Sequence, residues 1–210
     1  MLVVVGALAA CTGPRSSLGA PAAPTTSAPT VGGLAGSGTG VAEVDAVLAR
    51  LEGPLAPSFT VTYSILRRLG AISAGASVTH GPAATSVSVR DVRFLLDDAP
   101  RTCDLRARTC EDGTIDARIS DLGLGAHFWR DSPARALRVA TGRRAGPPTG
   151  TTTSLGGSPA VCVDVPVGTG VEHYCALDSG VLARWDTAYV DVELTGVRDT
   201  VDQEAFSAPG

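Results

Sequence analysis

The pattern of hydrophobic and polar positions opens with a helix and then changes to strands. Apolar residues spaced i, i+3, i+4 and i+7 between Val41 and Gly53-Pro54 predict one amphipathic helix. They are Val44, Val47, Leu48 and Leu51. From Phe59 to Ile65 every second residue is apolar, which predicts a strand. The ordered domain is therefore expected to begin at residue 41, with a helix followed by a sheet.

Further along the chain, the same alternation predicts more strands on either side of a helical segment. The predicted strands cover residues 76–80, 85–96, 151–155, 158–167, 170–177, 180–185 and 188–194. Within 85–96 the apolar residues change from odd-numbered to even-numbered positions near Arg90-Asp91, which indicates a bulge or a turn. The last five strands are expected to form an antiparallel meander.

The helical segment is predicted to contain two pieces. Thr114 is a candidate cap for a helix that runs towards Leu122. Ser132-Pro133 places a cap residue and a first-turn proline before a second helix, which Gly142 ends. Phe128 and Trp129 lie between the two pieces, where they either line a pocket or pack on the sheet.

Two cysteines near the C-terminus predict a disulfide across a hairpin. If Cys162 faces Cys175, Gly168-Thr169 becomes a two-residue turn with glycine first, as a type II′ hairpin requires. This register places both cysteines at non-hydrogen-bonded sites, where Cα atoms are about 4.5 Å apart. It also places Asp164 opposite His173, which is explained either as a cross-strand ion pair or as two members of a catalytic triad.

A second cysteine pair, Cys103 and Cys110, encloses six residues and predicts another disulfide that closes a short loop. A metal site is the competing interpretation. The spacing contains no C-x-x-C pair, and His80 and His127 are isolated in the sequence, so no metal ligand is assigned.

The N-terminal residues predict export and lipidation. Residues 1–10 form an apolar run that is too short to span a bilayer, which needs about 20 apolar residues. Leu8-Ala9-Ala10-Cys11 has the form of a lipobox, so a signal peptide at 1–10 and a lipid anchor on Cys11 are predicted, although the run lacks a basic start. Residues 11–40 are rich in Gly, Pro, Ala, Ser and Thr, which is typical of a disordered tether. The predicted location is the extracytoplasmic face of the cell membrane, with an ordered domain at 41–210.

Composition and motifs narrow the function. The 210-residue chain has a formal net charge of -4 and scattered arginines, which argues against a nucleic-acid partner. It contains no G-x-S-x-G, H-E-x-x-H or strand-linked Rossmann glycine motif, so neither an enzymatic activity nor a cofactor is expected.

Several segments carry a resemblance to a known family. They are YCALDSGVLAR at 174–184, VDVEL at 190–194, VDQEAF at 201–206 before Pro209, and the opening helix 44–51 followed by strand 59–65. Together they resemble LolA-like proteins and the related actinobacterial lipid-carrier lipoproteins, the LppX/LprG-related half-barrels. The resemblance implies an α+β, mainly antiparallel fold: a curved half-barrel sheet with a few helices over its concave face. It also implies an apolar cavity that accommodates acyl chains without covalent chemistry.

The expected function is a membrane-anchored lipoprotein that binds or transfers a lipid or an acylated ligand through an apolar cavity. Alternation along the predicted strands places eight candidate lining residues on the inner face: Val61, Tyr63, Ile65, Val163, Val165, Tyr174, Val190 and Val192. Two alternatives remain. One is a non-catalytic domain that binds an envelope protein, which predicts a filled core and an exposed apolar patch. The other is a hydrolase that uses Asp164 and His173.

Overall fold

The computed structural model describes residues 38–168 and 170–209. The predictions that concern the signal peptide, Cys11 and nearly all of the tether therefore lie outside the described residues. Within them are two α-helices, α1 (Ala42–Leu51) and α2 (Asp131–Gly142), and two 3-10 helices at Asp116–Leu122 and Gln203–Phe206. Neither α-helix in this part of the chain has the length and hydrophobicity needed to cross a membrane.

The sheet is a single antiparallel layer of eleven strands. In chain order they are β1 (Phe59–Arg67), β2 (Ile72–His80), β3 (Thr85–Val89), β4 (Val92–Leu96), β5 (Arg101–Asp104), β6 (Thr109–Asp112), β7 (Thr149–Leu155), β8 (Ser158–Val167), β9 (Gly170–Leu177), β10 (Leu182–Asp186) and β11 (Val190–Arg198). Their order across the sheet is β6-β5-β4-β3-β2-β1-β11-β10-β9-β8-β7, so β6 and β7 are the two edges. The sheet is open and curved, and the predicted α+β half-barrel class is confirmed.

The helices pack on the inner face of this sheet and fill it. Helix α1 packs on β7, β8 and β9, α2 packs on β8 and β9, and the first 3-10 helix packs on β1 and β2. Phe128 and Trp129 are buried and pack on the sheet: the Phe128 ring meets Tyr63 edge-on at 5.4 Å, and the Trp129 ring lies 6.2 Å from that of Phe59. The concave side is thus occupied by the protein's own side chains.

Two hydrogen bonds connect the segment around Trp129 with the middle of the sheet. The Leu182 amide donates to the Trp129 carbonyl at 2.9 Å. The carbonyl of Leu182 in turn accepts from the buried Tyr63 hydroxyl, also at 2.9 Å. The first bond joins β10 to the segment that covers it, and the second joins β1 to β10 across the intervening strand β11.

The hairpin predicted from the cysteine spacing is confirmed. Strands β8 and β9 have the predicted bounds, and Cys162 pairs with Cys175 in the register. Both predicted disulfides, Cys103–Cys110 and Cys162–Cys175, are present, each with Cα atoms 4.0 Å apart. Gly168 has a φ of 51°, the left-handed conformation that glycine adopts without strain.

Some local predictions are corrected by the structure. Helix α2 begins at Asp131 after Arg130, so Ser132 lies inside the helix and does not cap it. The segment that begins after Thr114 is a 3-10 helix, not an α-helix, and it ends at Gly123 with a φ of 73°. The bulge or turn predicted near Arg90-Asp91 is a turn between β3 and β4, with Arg90 at a φ of 54°.

Strands β5 and β6 are not predicted by the sequence, which indicates only a short loop closed by the Cys103–Cys110 bridge. In the structure, Cys103 and Cys110 face each other in a short two-stranded ladder. The Thr102 hydroxyl donates to the Gly113 carbonyl at 2.8 Å and accepts from the Ile115 amide at 2.9 Å. The ladder is therefore held at both ends, by the disulfide and by Thr102.

The environment of His80, in strand β2, predicts that the folded protein loses stability in acid. The His80 ring stacks on Phe59 with centroids 5.1 Å apart, and its Nδ1 lies 2.8 Å from the Thr85 hydroxyl. Burial, together with the nearby Arg130 guanidinium, lowers the pKa of His80 below its ordinary value of 6.5. The unfolded chain therefore takes up the proton first, so stability is retained above pH 6.5 and declines as the pH falls from there towards the folded pKa.

We expect His80→Gln to weaken this pH dependence. The measurement is the free energy of unfolding in urea above and below pH 6.5 for the wild type, His80→Gln and the exposed control His127→Gln. The wild type and His127→Gln should lose stability in parallel as the pH falls, and His80→Gln should lose less. An equal loss in all three proteins would contradict this role for His80.

Candidate ligand pocket

The eight residues predicted to line a cavity are all buried, in one continuous core. Six of them are core residues that do not line the pocket described next: Val61, Tyr63, Ile65, Val163, Val165 and Val192. The other two, Tyr174 and Val190, are core residues that also reach the wall of that pocket. The eight residues therefore belong to the packed core, and their role as ligand contacts stays a prediction.

A pocket of about 560 Å³ lies between α2 and the sheet formed by β9, β10, β11 and β1. Its walls are Arg67, Leu69, Leu122, Gly123, Ser132, Arg135, Ala136, Val139, Arg143, Glu172, Tyr174, Trp185, Thr187, Tyr189 and Val190. The contribution of α2 is one face of the helix: Ser132, Arg135, Ala136, Val139 and Arg143 are spaced i, i+3, i+4, i+7 and i+11. This face adjoins the stripe of Ala134, Leu137 and Ala140 that packs in the core.

The rim of the pocket exposes large apolar side chains. Leu69 is 70% exposed, Val139 57% and Tyr189 71%. Among the described residues, these three and Val171 are the large hydrophobic side chains that are strongly exposed, and all but Val171 line the pocket. Exposed apolar residues gathered around one opening are typical of a binding site.

The polar groups at the floor of the pocket form hydrogen bonds with one another. The Tyr174 hydroxyl donates to Glu172 Oε2 at 2.6 Å, and Arg143 donates to Glu172 Oε1 at 2.5 Å. Burial first, and the Glu172 carboxylate second, raise the pKa of Tyr174, so its phenol remains a proton donor at neutral pH. Beside it, the Trp185 indole N–H is buried without a hydrogen bond of normal geometry, yet it is close enough to lower the pKa of Tyr174.

Charge at the rim is positive. Arg67 donates to the Asp121 carbonyl at 2.6 Å, and Arg143 is held by Glu172. Arg135 is exposed and forms no hydrogen bond or ion pair with residues 38–168 or 170–209. Its guanidinium is therefore available to an anionic group at the mouth of the pocket.

Asp164 and His173 lie on β8 and β9 and do not line this pocket. His173 Nδ1 is 2.7 Å from Asp164 Oδ1, and both side chains are about 40% exposed, at 39% and 42%. In the described part of the chain, no serine hydroxyl hydrogen-bonds to His173. The arrangement is that of a cross-strand pair beside a disulfide.

Several pocket residues were not predicted from the sequence. Leu69 lies in the turn after β1, where no strand is predicted. Tyr189 falls within the predicted strand 188–194, and alternation puts it on the face opposite to Val190, but the observed β11 begins only at Val190. Ala136 and Val139 had a usable signal, since they form a second apolar row beside the core stripe of α2.

The fold and the pocket together define a half-barrel domain with a laterally open apolar pocket. No family model matches the chain, and no curated protein matches it. Solved structures of MucB are similar to it at low identity. MucB alone is 15% identical with a TM-score of 0.47, over 80% of this chain and 64% of that one. MucB in the Pseudomonas aeruginosa MucA/MucB complex is 13% identical with a TM-score of 0.45, over 79% of this chain and 59% of the other.

This chain thus spans less than two thirds of the length of those structures. TM-scores below 0.5 do not establish a shared function, so the function proposed below comes from the pocket itself. The half-barrel architecture agrees with what the LolA-like resemblance implies. Placement among the LppX/LprG-related carriers stays a prediction.

Proposed function

We propose that this chain is a non-catalytic binding protein, held outside the cytoplasmic membrane by a lipid on Cys11, whose pocket takes the acyl chain of an anionic lipid. One observation carries the proposal: an open pocket with apolar walls has exposed Leu69, Val139 and Tyr189 at its rim. Beside them lies the Arg135 guanidinium, which has no partner among the residues that the structure describes. An amphiphile with an apolar tail and a negative head matches both parts.

The size and composition of the pocket support an acyl chain. About 560 Å³ lies within the range of roughly 300–1,000 Å³ that is usual for small-molecule sites. Each methylene group removed from water contributes about 0.8 kcal/mol. Even a few methylene groups against Ala136, Val139 and Val190 therefore give useful affinity, and the rim side chains lose unfavourable exposure when the ligand binds.

The charges support a negative head group. Arg143 already binds the buried Glu172 carboxylate, so its charge is largely satisfied. Arg135 lies two turns earlier on the same face of α2, at i−8, and has no such partner in the described residues. A carboxylate or phosphate group of a ligand at the mouth of the pocket would form an ion pair with Arg135.

The polar floor supports binding without chemistry. The Glu172 carboxylate accepts from both the Tyr174 hydroxyl and Arg143, so these three groups of the floor are paired and none of them is an activated nucleophile. A domain anchored to the membrane surface would extract or present lipid locally, either to pass it on or to sense it.

The test is a titration with a fluorescent fatty-acid probe, using the full chain with Cys11→Ser so that no anchor competes for the pocket. Ala136→Trp places an indole inside the pocket, whereas Ala49→Trp places one on the exposed surface of α1 as a matched control. Displacing about three methylene groups at about 0.8 kcal/mol each predicts a roughly 50-fold loss of affinity in Ala136→Trp. Ala49→Trp should bind like the wild type.

A charge variant separates the contribution of the ligand's head group from that of its acyl chain. Arg135→Glu should weaken the anionic probe by about fivefold and leave a neutral monoacylglycerol unaffected. Equal probe affinity in the wild type and Ala136→Trp would contradict the proposal, as would an absence of binding in the wild type.

Docking of an envelope protein is the second candidate function, because the concave side is filled and the exposed rim side chains form a patch on the surface. In that case the wild type would not bind the probe. Leu69→Asp and Tyr189→Asp would instead weaken association with a protein partner while leaving the fold intact, since both side chains are about 70% exposed.

A further inference from the structure

The two edges of the sheet are built differently. Strand β6 is four residues long, carries Glu111 and Asp112, and is tied to β5 by the Cys103–Cys110 disulfide. Short, charged edge strands of this kind discourage pairing with another chain. Strand β7 has none of these features: it has seven residues, TGTTTSL, without charge or proline, and pairs with β8 without a register shift. Six of its seven residues are exposed.

The register identifies which backbone groups of β7 point away from the sheet. Val167 and Gly170 flank the hairpin turn as a hydrogen-bonded pair, so the even-numbered residues of β8 direct their backbone groups towards β7. The Pro166 carbonyl agrees with this assignment, because it accepts from the Ala145 amide on the β7 side. Thr151 and Thr153 therefore bond to β8 through their partners Cys162 and Ala160.

The remaining residues of β7 face outward. Gly150, Thr152 and Ser154 direct their N–H and C=O groups away from β8, and no element in the described part of the chain pairs with that side. Three donors and three acceptors at a two-residue spacing are what an additional antiparallel strand requires.

This outward set is symmetric about its centre. If a second copy of β7 runs antiparallel with Thr152 opposite Thr152, Gly150 faces Ser154 of the copy and Ser154 faces its Gly150. Each of these three pairs is hydrogen-bonded on both sides, and none joins two charges. The two ends of the paired segment also coincide, because Thr149 of one copy faces Leu155 of the other, which are the first and last residues of β7. Beyond them Pro148, which has no N–H to donate, would face Gly156, so the pairing ends there.

We infer that β7 is the contact surface for a second copy of this chain, so that two half-barrels form one continuous antiparallel sheet across a two-fold axis at Thr152. A symmetric, self-complementary contact is the usual basis of a homodimer. The strand has seven residues and no charge, proline or register shift of its own, so its edge fits a partner with the same uncharged, β-branched sequence. This inference does not depend on what the pocket binds.

The test measures the mass in solution of the full chain with Cys11→Ser, by size exclusion with light scattering. The wild type should show twice the 21.2 kDa of one chain. Thr152→Pro removes an outward N–H without touching the β7–β8 ladder, and should give a monomer. Thr152→Lys and Thr152→Glu should each be monomeric alone, because like charges then face each other, and should form a heterodimer when mixed.

Two controls separate this contact from other effects. Ser73→Lys adds a charge at an exposed position of the inner strand β2 and should leave the dimer unchanged. Ala136→Trp, in the pocket, should leave it unchanged as well. A monomeric wild type at every concentration would overturn the inference. So would a dimer that persists in Thr152→Pro, Thr152→Lys and Thr152→Glu alike.

Discussion

Phe128→Ala is expected to lower the free energy of unfolding by about 3–5 kcal/mol, the usual cost of truncating a buried phenylalanine. Phe128 is fully buried and lies edge-on to Tyr63 at 5.4 Å, on the side of β1 that faces the helices. Its removal takes away buried apolar surface and leaves a cavity that the rigid sheet cannot close. The measurement is urea denaturation followed by circular dichroism, with the slope m unchanged.

The matched control is Val139→Ala, also in the region between α2 and the sheet. Val139 is 57% exposed at the pocket rim, so its truncation should change stability by no more than about 0.5 kcal/mol. If Phe128→Ala cost less than about 1 kcal/mol, the concave side would not be packed as described. The open cavity expected from the family resemblance would then be the better account.

The second large effect concerns the hairpin disulfide. The double variant Cys162→Ala/Cys175→Ala should lose about 3 kcal/mol, because the bridge restricts the unfolded chain over a separation of 13 residues. Both cysteines are 5% exposed, and alanine leaves only a small packing defect there. Thermal and urea unfolding of the double variant and the wild type under non-reducing conditions measure this difference.

The other disulfide serves as the comparison. Cys103→Ala/Cys110→Ala opens a loop with a separation of only 7 residues, so its loss should be smaller, at about 2.5 kcal/mol. Equal stability of the wild type and the 162/175 variant would show that the β8–β9 hairpin does not depend on its bridge. It would also weaken the case for folding in an oxidising compartment.

The β8–β9 hairpin could be predicted because several local signals agree. Gly168 suits the turn, Pro166 occupies a position that need not donate to β9, and the cysteines are equidistant from the turn. A register shifted by one residue would separate the cysteines and reverse the buried faces of Val163 and Val165. Helix α1 was similarly predictable, since Val44, Val47, Leu48 and Leu51 are its buried residues.

Strands β5 and β6 could not be predicted in the same way. Their sequences, RTCD and TCED, have no apolar alternation and are rich in charge. They are held by the neighbouring strand β4, by the Cys103–Cys110 bridge and by the bonds of Thr102 to Gly113 and Ile115. These are tertiary constraints, which a local pattern does not record.

The sequence could not decide whether the inner face of the sheet encloses a cavity. A strand face made of Val61, Tyr63 and Ile65 must be covered, but an acyl chain and a packed helix satisfy that requirement equally well. What covers it depends on where Phe128 and Trp129 dock, which alternation within the strands does not encode. The pocket itself lies where a second row of α2 meets the ends of four strands, and only the assembled fold brings those residues together.

Native mass spectrometry of the full chain, purified from membranes with Cys11 unchanged, tests the binding proposal most directly. The wild type and Ala49→Trp should each retain one non-covalently bound acyl lipid per chain, and Ala136→Trp should retain none. Lipid-free masses for the wild type, or equal retention in Ala136→Trp, would contradict the assignment of the pocket as a lipid site.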